Sequence, residues 1–488
     1  SPLYCNRTNI NIFYILQRER ERDRRNTQIY LKMTSNTATS NAVGTNTTTT
    51  TNVIAALVTV AAAAAVILMI RKNKKKKSSL KRSWSFTANT MRTGVFPSSV
   101  NAPATIINIG VYFEKEVPSD DEFIKNVIVK LLQYDDRFSM IPTDGGIRLP
   151  TKPYRAKDLL RTIVSKEEQE TVIMKIIMND EFEKDRELPW WEIVVLRGHK
   201  MCLLRFHHSI GDGLSLVKVF DGIIQTTSSN RVESKVTAAL MKRKMVMPSI
   251  PSMLQSTWDV LTLGVSQHDA TTRFHPKQTK FKYSGSRKIV FFPKVSLSYI
   301  KELKSKSDSS FNDILTYAIS QMIYNYNTST QPSNTNQYQC RALLPMSLPR
   351  SSSSTLTNHF SMVSADISAC RSFKTRKERL QDIVQTTTKL KSSPTAYIQL
   401  WFQNNLLSKL PAFLGKQTAF DIFSRHSLVL TNVPGPETKC HLANHTFDRL
   451  ELFFLNVVPQ IDLLSYAGTL YGNIIYDPIE LKEGDTLF

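Results

Sequence analysis

The most informative stretch of this chain is His207-His208-Ser209-Ile210-Gly211-Asp212-Gly213, an HHxxxDG pattern. It follows the apolar run Met201–Phe206 and precedes the apolar segment Leu214–Phe220, which predicts a strand, a tight turn and a helix. Histidine takes up and returns protons near neutral pH, so a pair at such a turn is a candidate for general base catalysis. Because adjacent residues at a strand end point to opposite sides, only one of the two can face a given cavity.

The aspartate of this pattern allows two interpretations. Asp212 could orient an imidazole, as in a hydrolase triad, or pair with an arginine and hold the turn, with Gly213 supplying permissive backbone. A metal site would need a third ligand that the local sequence does not offer. The chain has no G-x-S-x-G segment, which disfavours a serine hydrolase.

Strands and helices are predicted to alternate in both halves of the chain, which indicates an α/β fold. At 488 residues the chain is too long for one compact core. We expect two folded units, residues 93–227 and 287–488, joined by a polar, basic crossover linker over residues 228–286. The predicted strands are Ala104–Phe113, Ile193–Leu196, Met201–Phe206, Lys288–Phe292, Leu428–Leu430 and Leu470–Tyr476, and the predicted helices are Asp120–Leu132, Lys166–Met178, Ser296–Lys304 and Phe311–Tyr326.

The N-terminal region differs from the rest in composition. Residues 1–52 are polar and charged and are predicted to be disordered. Residues 53–70 carry no charge and as a helix would span roughly 27 Å, close to the hydrocarbon thickness of a bilayer. The basic linker 71–92 follows at once, a pattern that predicts a transmembrane helix with the following domain on the cytosolic side. An Ala-rich soluble helix is the alternative.

The formal net charge of +22 is concentrated at the N-terminus, where residues 1–93 hold 16 Lys and Arg against 3 Asp and Glu. The remaining positive charge, which lies beyond residue 93, suits anionic membrane surfaces or phosphate-bearing substrates. No aromatic-basic motif supports nucleic acid as a partner. The five cysteines are far apart and lack metal-site spacing, which favours free thiols in a reducing compartment.

The HHxxxDG pattern resembles the signature of acyl-CoA-dependent acyltransferases that share a fold with chloramphenicol acetyltransferase and with peptide-synthetase condensation domains. Further segments resemble the wax ester synthase/diacylglycerol acyltransferase family, in order and spacing, over roughly residues 93–480. They are Leu188–Glu192, Phe311–Leu315, Arg341–Pro349, Asn358–Phe360, Thr431–Pro436 and Ser465–Gly468.

This resemblance implies two chloramphenicol-acetyltransferase-like domains with mixed sheets and an interdomain tunnel. His208 would be the general base, His207 its support, Asp212 a structural brace and Gly213 part of the turn. Arg341 is the candidate partner of Asp212. Substrate-binding roles are assigned to Pro189, Trp191, Glu192, Asn312, Asp313 and Asn432. The same residues also fit a strand start, a helix N-cap and a rigid turn.

The implied reaction needs no cofactor or metal, because acyl-CoA is a substrate. A long-chain alcohol or a diacylglycerol would be the acceptor, and the expected location is the endoplasmic reticulum membrane. The alternatives are a non-catalytic lipid-binding member of the fold and an acyltransferase that uses a different hydroxyl acceptor. A carrier-dependent condensation enzyme is disfavoured, because no carrier-protein segment is visible.

Some features depart from the family's pattern. Trp190 replaces the usual Leu, which bears on packing near the acyl path. Met33 is the expected initiator, and the end at Phe488, soon after the last similar region, suggests a shortened C-terminus. The chain lacks the DFGWG segment of the plant acyltransferases that also use HxxxD, which argues against that branch.

Overall fold

The computed structural model describes residues 84–144, 146–179, 182, 187–226, 249–275, 281–328, 339–349, 356–479 and 481. Its helices are α1 (Phe86–Thr93), α2 (Asp120–Phe123), α3 (Val129–Tyr134), α4 (Gln169–Asn179), α5 (Gly213–Ile223), α6 (Ile250–Thr262), α7 (Leu297–Ser307), α8 (Phe311–Thr328), α9 (Arg376–Ser392), α10 (Thr395–Asn405) and α11 (Ala412–Phe423). A π-helical turn, Ile124–Ile128, joins α2 to α3.

The structure describes sixteen strands, and the last five follow one another with no helix between them. The strands are β1 (Ile106–Phe113), β2 (Ile141–Thr143), β3 (Gly146–Arg148), β4 (Leu160–Ile163), β5 (Trp191–Leu196), β6 (Met201–His207), β7 (Gln225–Thr226), β8 (Lys288–Phe291), β9 (Val295–Ser296), β10 (Arg341–Ser347), β11 (Phe360–Asp366), β12 (Leu428–Pro434), β13 (Cys440–Leu442), β14 (His445–Phe454), β15 (Gln460–Tyr466) and β16 (Thr469–Tyr476).

The predicted tail 1–52, the predicted transmembrane helix 53–70 and most of the basic linker lie outside the described residues. Among the helices that the structure does describe, none has the length and apolar character to cross a membrane. The transmembrane helix therefore stays a prediction from the sequence.

Two mixed sheets form the framework. The first has the order β4-β5-β6-β1-β14-β13-β7, and the second has the order β11-β10-β12-β15-β16-β8, with β9 also paired to β16. Strand β4 is parallel to β5, and β10, β12 and β15 are parallel neighbours, whereas the other pairs are antiparallel. The α/β class and the mixed sheets predicted from the sequence are confirmed. The predicted tunnel stays a prediction.

The first sheet is built from both halves of the chain. Strand β14 pairs with β1 over seven residues, from Ile107 opposite Phe454 to Phe113 opposite Phe447. A division of the chain at residue 287 therefore does not separate the sheets. The predicted linker over 228–286 is also not uniformly irregular, because α6 lies within it and begins at an Ser249 N-cap.

Apolar side chains of the helices pack against the two sheets and bury the strands. Strand β6 is buried along its whole length. One face of the first sheet packs against α2, α3, the π-helical turn and α5, and the other face packs against α4. The second sheet packs against α7 and α8. Strand β6 and helix α5 thus hold the HHxxxDG turn from both ends.

Candidate active site

The HHxxxDG turn connects the end of β6 to the start of α5. The backbone N–H of His208 donates to the Thr105 carbonyl at 2.8 Å, one residue before β1. The buried Arg137 guanidinium donates to the carbonyls of Ser209 and Ile210 at 3.2 and 2.7 Å. Buried carbonyls need such donors, so Arg137 fixes the turn that carries the histidines.

His208 is largely enclosed, and an asparagine determines its tautomer. Its Nδ1 lies 2.9 Å from the Asn358 Oδ1, while the Asn358 Nδ2 donates to the His208 carbonyl at 2.8 Å. A carbonyl can only accept, so the amide must present its NH₂ group there and its oxygen to the ring. Nδ1 therefore carries the proton. Nε2 keeps its lone pair and has no hydrogen-bond partner among the residues that the structure describes.

Aromatic rings surround this imidazole. Phe360 lies 5.5 Å and Phe454 5.8 Å from it, measured between ring centroids. Burial lowers the pKa of His208 below its ordinary value, against smaller opposing effects of Asp212 and of the Asn358 hydrogen bond. The ring is therefore neutral at pH 7, which is the form a general base needs.

His207 points away from this environment. Its ring packs on Trp190 at 4.7 Å between centroids, and its Nδ1 accepts from the Ser209 backbone N–H at 3.2 Å and lies 2.9 Å from the Ser209 Oγ. The two histidines thus contact different side chains, as the alternation along a strand predicts. These contacts suit a supporting residue.

Asp212 ties the turn to a segment of the other half of the chain. Its Oδ1 accepts from the Ser215 N–H at 3.0 Å as the N-cap of α5, and its Oδ2 accepts from the His359 N–H at 2.8 Å. Its own N–H donates to the Thr357 carbonyl at 3.1 Å. This is the geometry of a brace, and it also holds Asn358 beside His208. Gly213 lies against Val433, which a Cβ at Gly213 would approach to 3.9 Å.

The predicted pairing of Asp212 with Arg341 is wrong. Arg341 opens β10, and its buried side chain binds Asp269, with 2.6 Å between Nε and Oδ1. The other oxygen of Asp269 accepts from the Ser427 backbone N–H and Oγ at 3.0 and 2.6 Å. This ion pair anchors the starts of β10 and β12.

The structure places the three residues named from the 188–192 segment in the first sheet or at its edge. Trp191 is buried in the core, where its Nε1 donates to the Phe138 carbonyl at 2.8 Å. Glu192 points to the opposite face and binds Arg205 and Arg161 at 2.5 and 3.2 Å. The Pro189 carbonyl accepts from the Trp191 N–H. These contacts are structural, and a role in substrate binding stays a prediction.

Two of the three residues named from the 311–315 and 431–436 segments, Asn312 and Asn432, come together. The Asn432 Nδ2 donates to the Asn312 Oδ1 at 2.8 Å. Asp313 is buried and accepts from Thr387, Lys391 and the Ser310 N–H at 2.6, 2.9 and 2.7 Å. Burial would raise the pKa of the Asp313 carboxyl, but these hydrogen bonds lower it overall. Asp313 is therefore an ionised residue that fixes the start of α8.

Sequence reasoning noted the Asn-His-Phe segment but missed Asn358 as a site residue. Asn358 is 150 positions from His208 in the chain, and nothing local to either residue indicates their contact. The available signal was an asparagine in a turn next to an apolar strand, a pattern that also fits an ordinary turn.

The fold and part of the sequence are similar to known proteins. A family model for the WS/DGAT C-terminal domain matches residues 356–487. The structure is similar to a wax ester synthase/diacylglycerol acyltransferase from Marinobacter aquaeolei VT8, with 15% identity, a TM-score of 0.53, and coverage of 83% of this chain and 96% of that one. No curated protein matches the sequence.

Two other solved structures share the fold. A trichothecene 15-O-acetyltransferase from Fusarium sporotrichioides has 10% identity and a TM-score of 0.52, over 83% of this chain and 92% of that one. A cyclization-docking bidomain of a peptide synthetase from Sorangium cellulosum has 13% identity and a TM-score of 0.51, over 90% and 89%. The predicted α/β fold with mixed sheets, similar to that of known acyltransferases, and the predicted resemblance to the wax ester synthase/diacylglycerol acyltransferase family are confirmed.

Proposed function

We propose that this chain, whose residues 356–487 match the WS/DGAT C-terminal domain and whose fold is similar to that of a wax ester synthase/diacylglycerol acyltransferase, is an acyl-CoA-dependent O-acyltransferase. It moves a fatty acyl group to a long-chain alcohol, to diacylglycerol, or to both. The observation that carries the proposal is the pair of hydrogen bonds between His208 and Asn358, which leaves a neutral imidazole with an unprotonated Nε2.

In the proposed reaction, Nε2 of His208 takes the hydroxyl proton while the acceptor oxygen attacks the thioester carbonyl. The tetrahedral intermediate collapses, the carbon–sulfur bond breaks, and the imidazolium returns the proton to the CoA thiolate. The products are an ester and free CoA. A general base of this kind contributes about 10²–10⁴-fold to the rate.

The surroundings of His208 support this role. The rings of Phe360 and Phe454 lie 5.5 and 5.8 Å from the imidazole, between centroids, and burial holds the pKa of His208 below its usual range. A hydroxyl is a weak acid, so proton removal has to be concerted with attack on the carbonyl. A site poor in water strengthens the electrostatic interactions that this step needs.

We further propose that the enzyme is a single-pass protein of the endoplasmic reticulum membrane, anchored by residues 53–70, with its catalytic domain in the cytosol. Fatty alcohols and diacylglycerols partition into bilayers, whereas acyl-CoA is accessible from the aqueous phase. A catalytic domain at the membrane surface meets both substrates.

The decisive experiment compares His208→Ala with the unaltered protein. Membranes that contain the full chain are incubated with radiolabelled acyl-CoA and either hexadecanol or diacylglycerol, and the lipids are separated by thin-layer chromatography. The expected result is a loss of ester formation of about 10²–10⁴-fold, because the general base is removed. The acceptor that gives product in the unaltered protein identifies the preferred substrate.

His268→Ala is the matched control, because His268 is exposed and its Nδ1 lies 3.0 Å from the Ser424 carbonyl, outside the site. It should retain full activity. Near-normal transfer by a folded His208→Ala protein would refute the mechanism. Binding of acyl-CoA without any turnover by the unaltered protein would favour a non-catalytic lipid-binding function.

A further inference from the structure

Helix α6 has its apolar residues on the outside. Only one of its side chains is buried, that of Ser256, whose Oγ lies 2.9 Å from the Ser393 Oγ. Its large apolar side chains are exposed instead: Ile250, Met253, Leu254, Trp258 and Leu261. A surface helix normally buries its apolar stripe against the core, so this one is built to contact something else.

The helices that pack against α6 and the turn that follows it also carry exposed apolar side chains. Helix α6 packs against α10, and the turn that follows α6 packs against α11. Trp401 on α10 and Phe413 on α11 are each 59% exposed, and Val265 in the turn is 54% exposed. We call these three residues and the five of α6 the apolar face. Asp259 and Gln255, bonded to each other at 2.8 Å, are polar members of the same helix.

Basic stretches of sequence precede two of the helices in this region. Residues 71–83 hold eight Lys and Arg and no acidic residue, and they lead directly into α1, which packs against α10 and α11. Residues 227–248 hold five Lys and Arg against one acidic residue, and they lead directly into α6. Apolar side chains that include tryptophan, next to cationic sequence, are the composition of a surface that binds anionic lipid.

We infer that the apolar face docks onto an anionic lipid bilayer, with Leu254, Trp258, Trp401 and Phe413 at the boundary between head groups and acyl chains. The inference builds on the proposed membrane location. The anchor alone would not determine which surface of the folded part contacts the bilayer. The apolar face is connected to the candidate active site, because α10 packs on β11. The Ser361 Oγ donates to the Ala396 carbonyl at 2.7 Å, and the preceding Phe360 contacts His208.

Site-specific fluorescence tests this inference without any measurement of activity. The described cysteines, Cys202, Cys340, Cys370 and Cys440, are all buried, so in a full chain with Cys5→Ser an introduced thiol can be labelled selectively. Leu254→Cys and Phe413→Cys, each carrying an NBD label, report on the face. Tyr299→Cys on α7, at a side chain 55% exposed, is the matched control.

The labelled proteins are mixed with phosphatidylcholine vesicles that contain phosphatidylserine, with and without a doxyl-labelled lipid. The expected result is a blue shift and a rise of NBD emission at positions 254 and 413, with quenching by the doxyl lipid, and no such change at position 299. Because the predicted anchor would hold all three proteins on the vesicle, the difference between positions isolates the face.

An equal response at all three positions, or none at 254 and 413, would overturn the inference. A blue shift without vesicles that grows with protein concentration would assign the face to a second copy of the chain. A blue shift that depends neither on vesicles nor on protein concentration would assign the face to other residues of the same chain. Either of these two results would also overturn the inference. Failure of catalysis in the radiolabel assay leaves this result unaffected.

Discussion

Asn358 determines which nitrogen of His208 can act as a base. In a triad a carboxylate holds the second ring nitrogen and stabilises the imidazolium that forms. Here a neutral amide holds it, at 2.9 Å, and the carboxylate of Asp212 instead accepts from two backbone N–H groups. The residue that looks like a triad member in the sequence is therefore part of the scaffold, and the orienting residue comes from the other half of the chain.

The pH dependence of kcat/KM reports on this arrangement. Burial lowers the pKa of His208, so the acidic limb of the profile should have its midpoint below the ordinary histidine value of about 6.5. Activity is present above the pKa, where the base is neutral, and is lost as the pH falls through it.

Asn358→Ala removes a hydrogen bond that raises the pKa of His208, so the limb should move to lower pH. Because the tautomer is no longer fixed, kcat should fall about tenfold, which corresponds to the roughly 1.4 kcal/mol that one hydrogen bond can contribute. Asn358→Asp places a carboxylate there and should move the limb to higher pH. If both variants lost activity without any shift of the limb, Asn358 would be a purely structural residue.

At the scale of the element, the N-terminus of α5 joins the two halves of the site. The Asp212 carboxylate caps α5 through Ser215 and holds the backbone of His359. Asp212→Ala removes this acceptor from the buried Ser215 N–H and the partly buried His359 N–H. The lost cap costs about 0.5–2 kcal/mol, and the lost hydrogen bond from the His359 N–H costs about 0.5–1.5 kcal/mol.

Urea unfolding of Asp212→Ala should therefore show a loss of stability of about 2 kcal/mol or more. The activity per folded molecule should also fall, to the extent that Asn358 is displaced from His208. Asp136→Ala is the control, since Asp136 is exposed, and it should change stability by no more than about 0.5 kcal/mol. Inactive Asp212→Ala protein with unaltered stability would instead make Asp212 a participant in the chemistry.

Local pattern was enough to place the elements of the HHxxxDG region. The buried strand before His207, the turn and the helix after Asp212 all follow from apolar periodicity and from aspartate as an N-cap. The partner of Arg341 could not be found in this way, because Asp269 is 72 positions away and lies in a segment that reads as irregular linker. Helix α6 was missed for a related reason, since its apolar residues do not face the core.

At the scale of the whole molecule, the sheets do not follow the order of the sequence. Strands β13 and β14 come from the C-terminal half but lie in the first sheet, where β14 is the neighbour of β1. Local periodicity predicts that a strand exists, but it carries no information about which distant strand pairs with it. The described residues accordingly fall within one compact unit.

A chain divided between Thr226 and Ser249 should therefore fail to give an independently folded N-terminal half. Without β14, the buried strand β1 would become an edge with unpaired N–H and C=O groups beside exposed apolar side chains, a template for aggregation. We expect residues 84–226 expressed alone to enter the insoluble fraction, and co-expression with residues 249–488 to recover a soluble complex that elutes as one species in gel filtration. A soluble, monomeric 84–226 fragment with a cooperative unfolding transition would contradict this, because it would mean that β1 tolerates the loss of β14 and that the first sheet is complete without the C-terminal half.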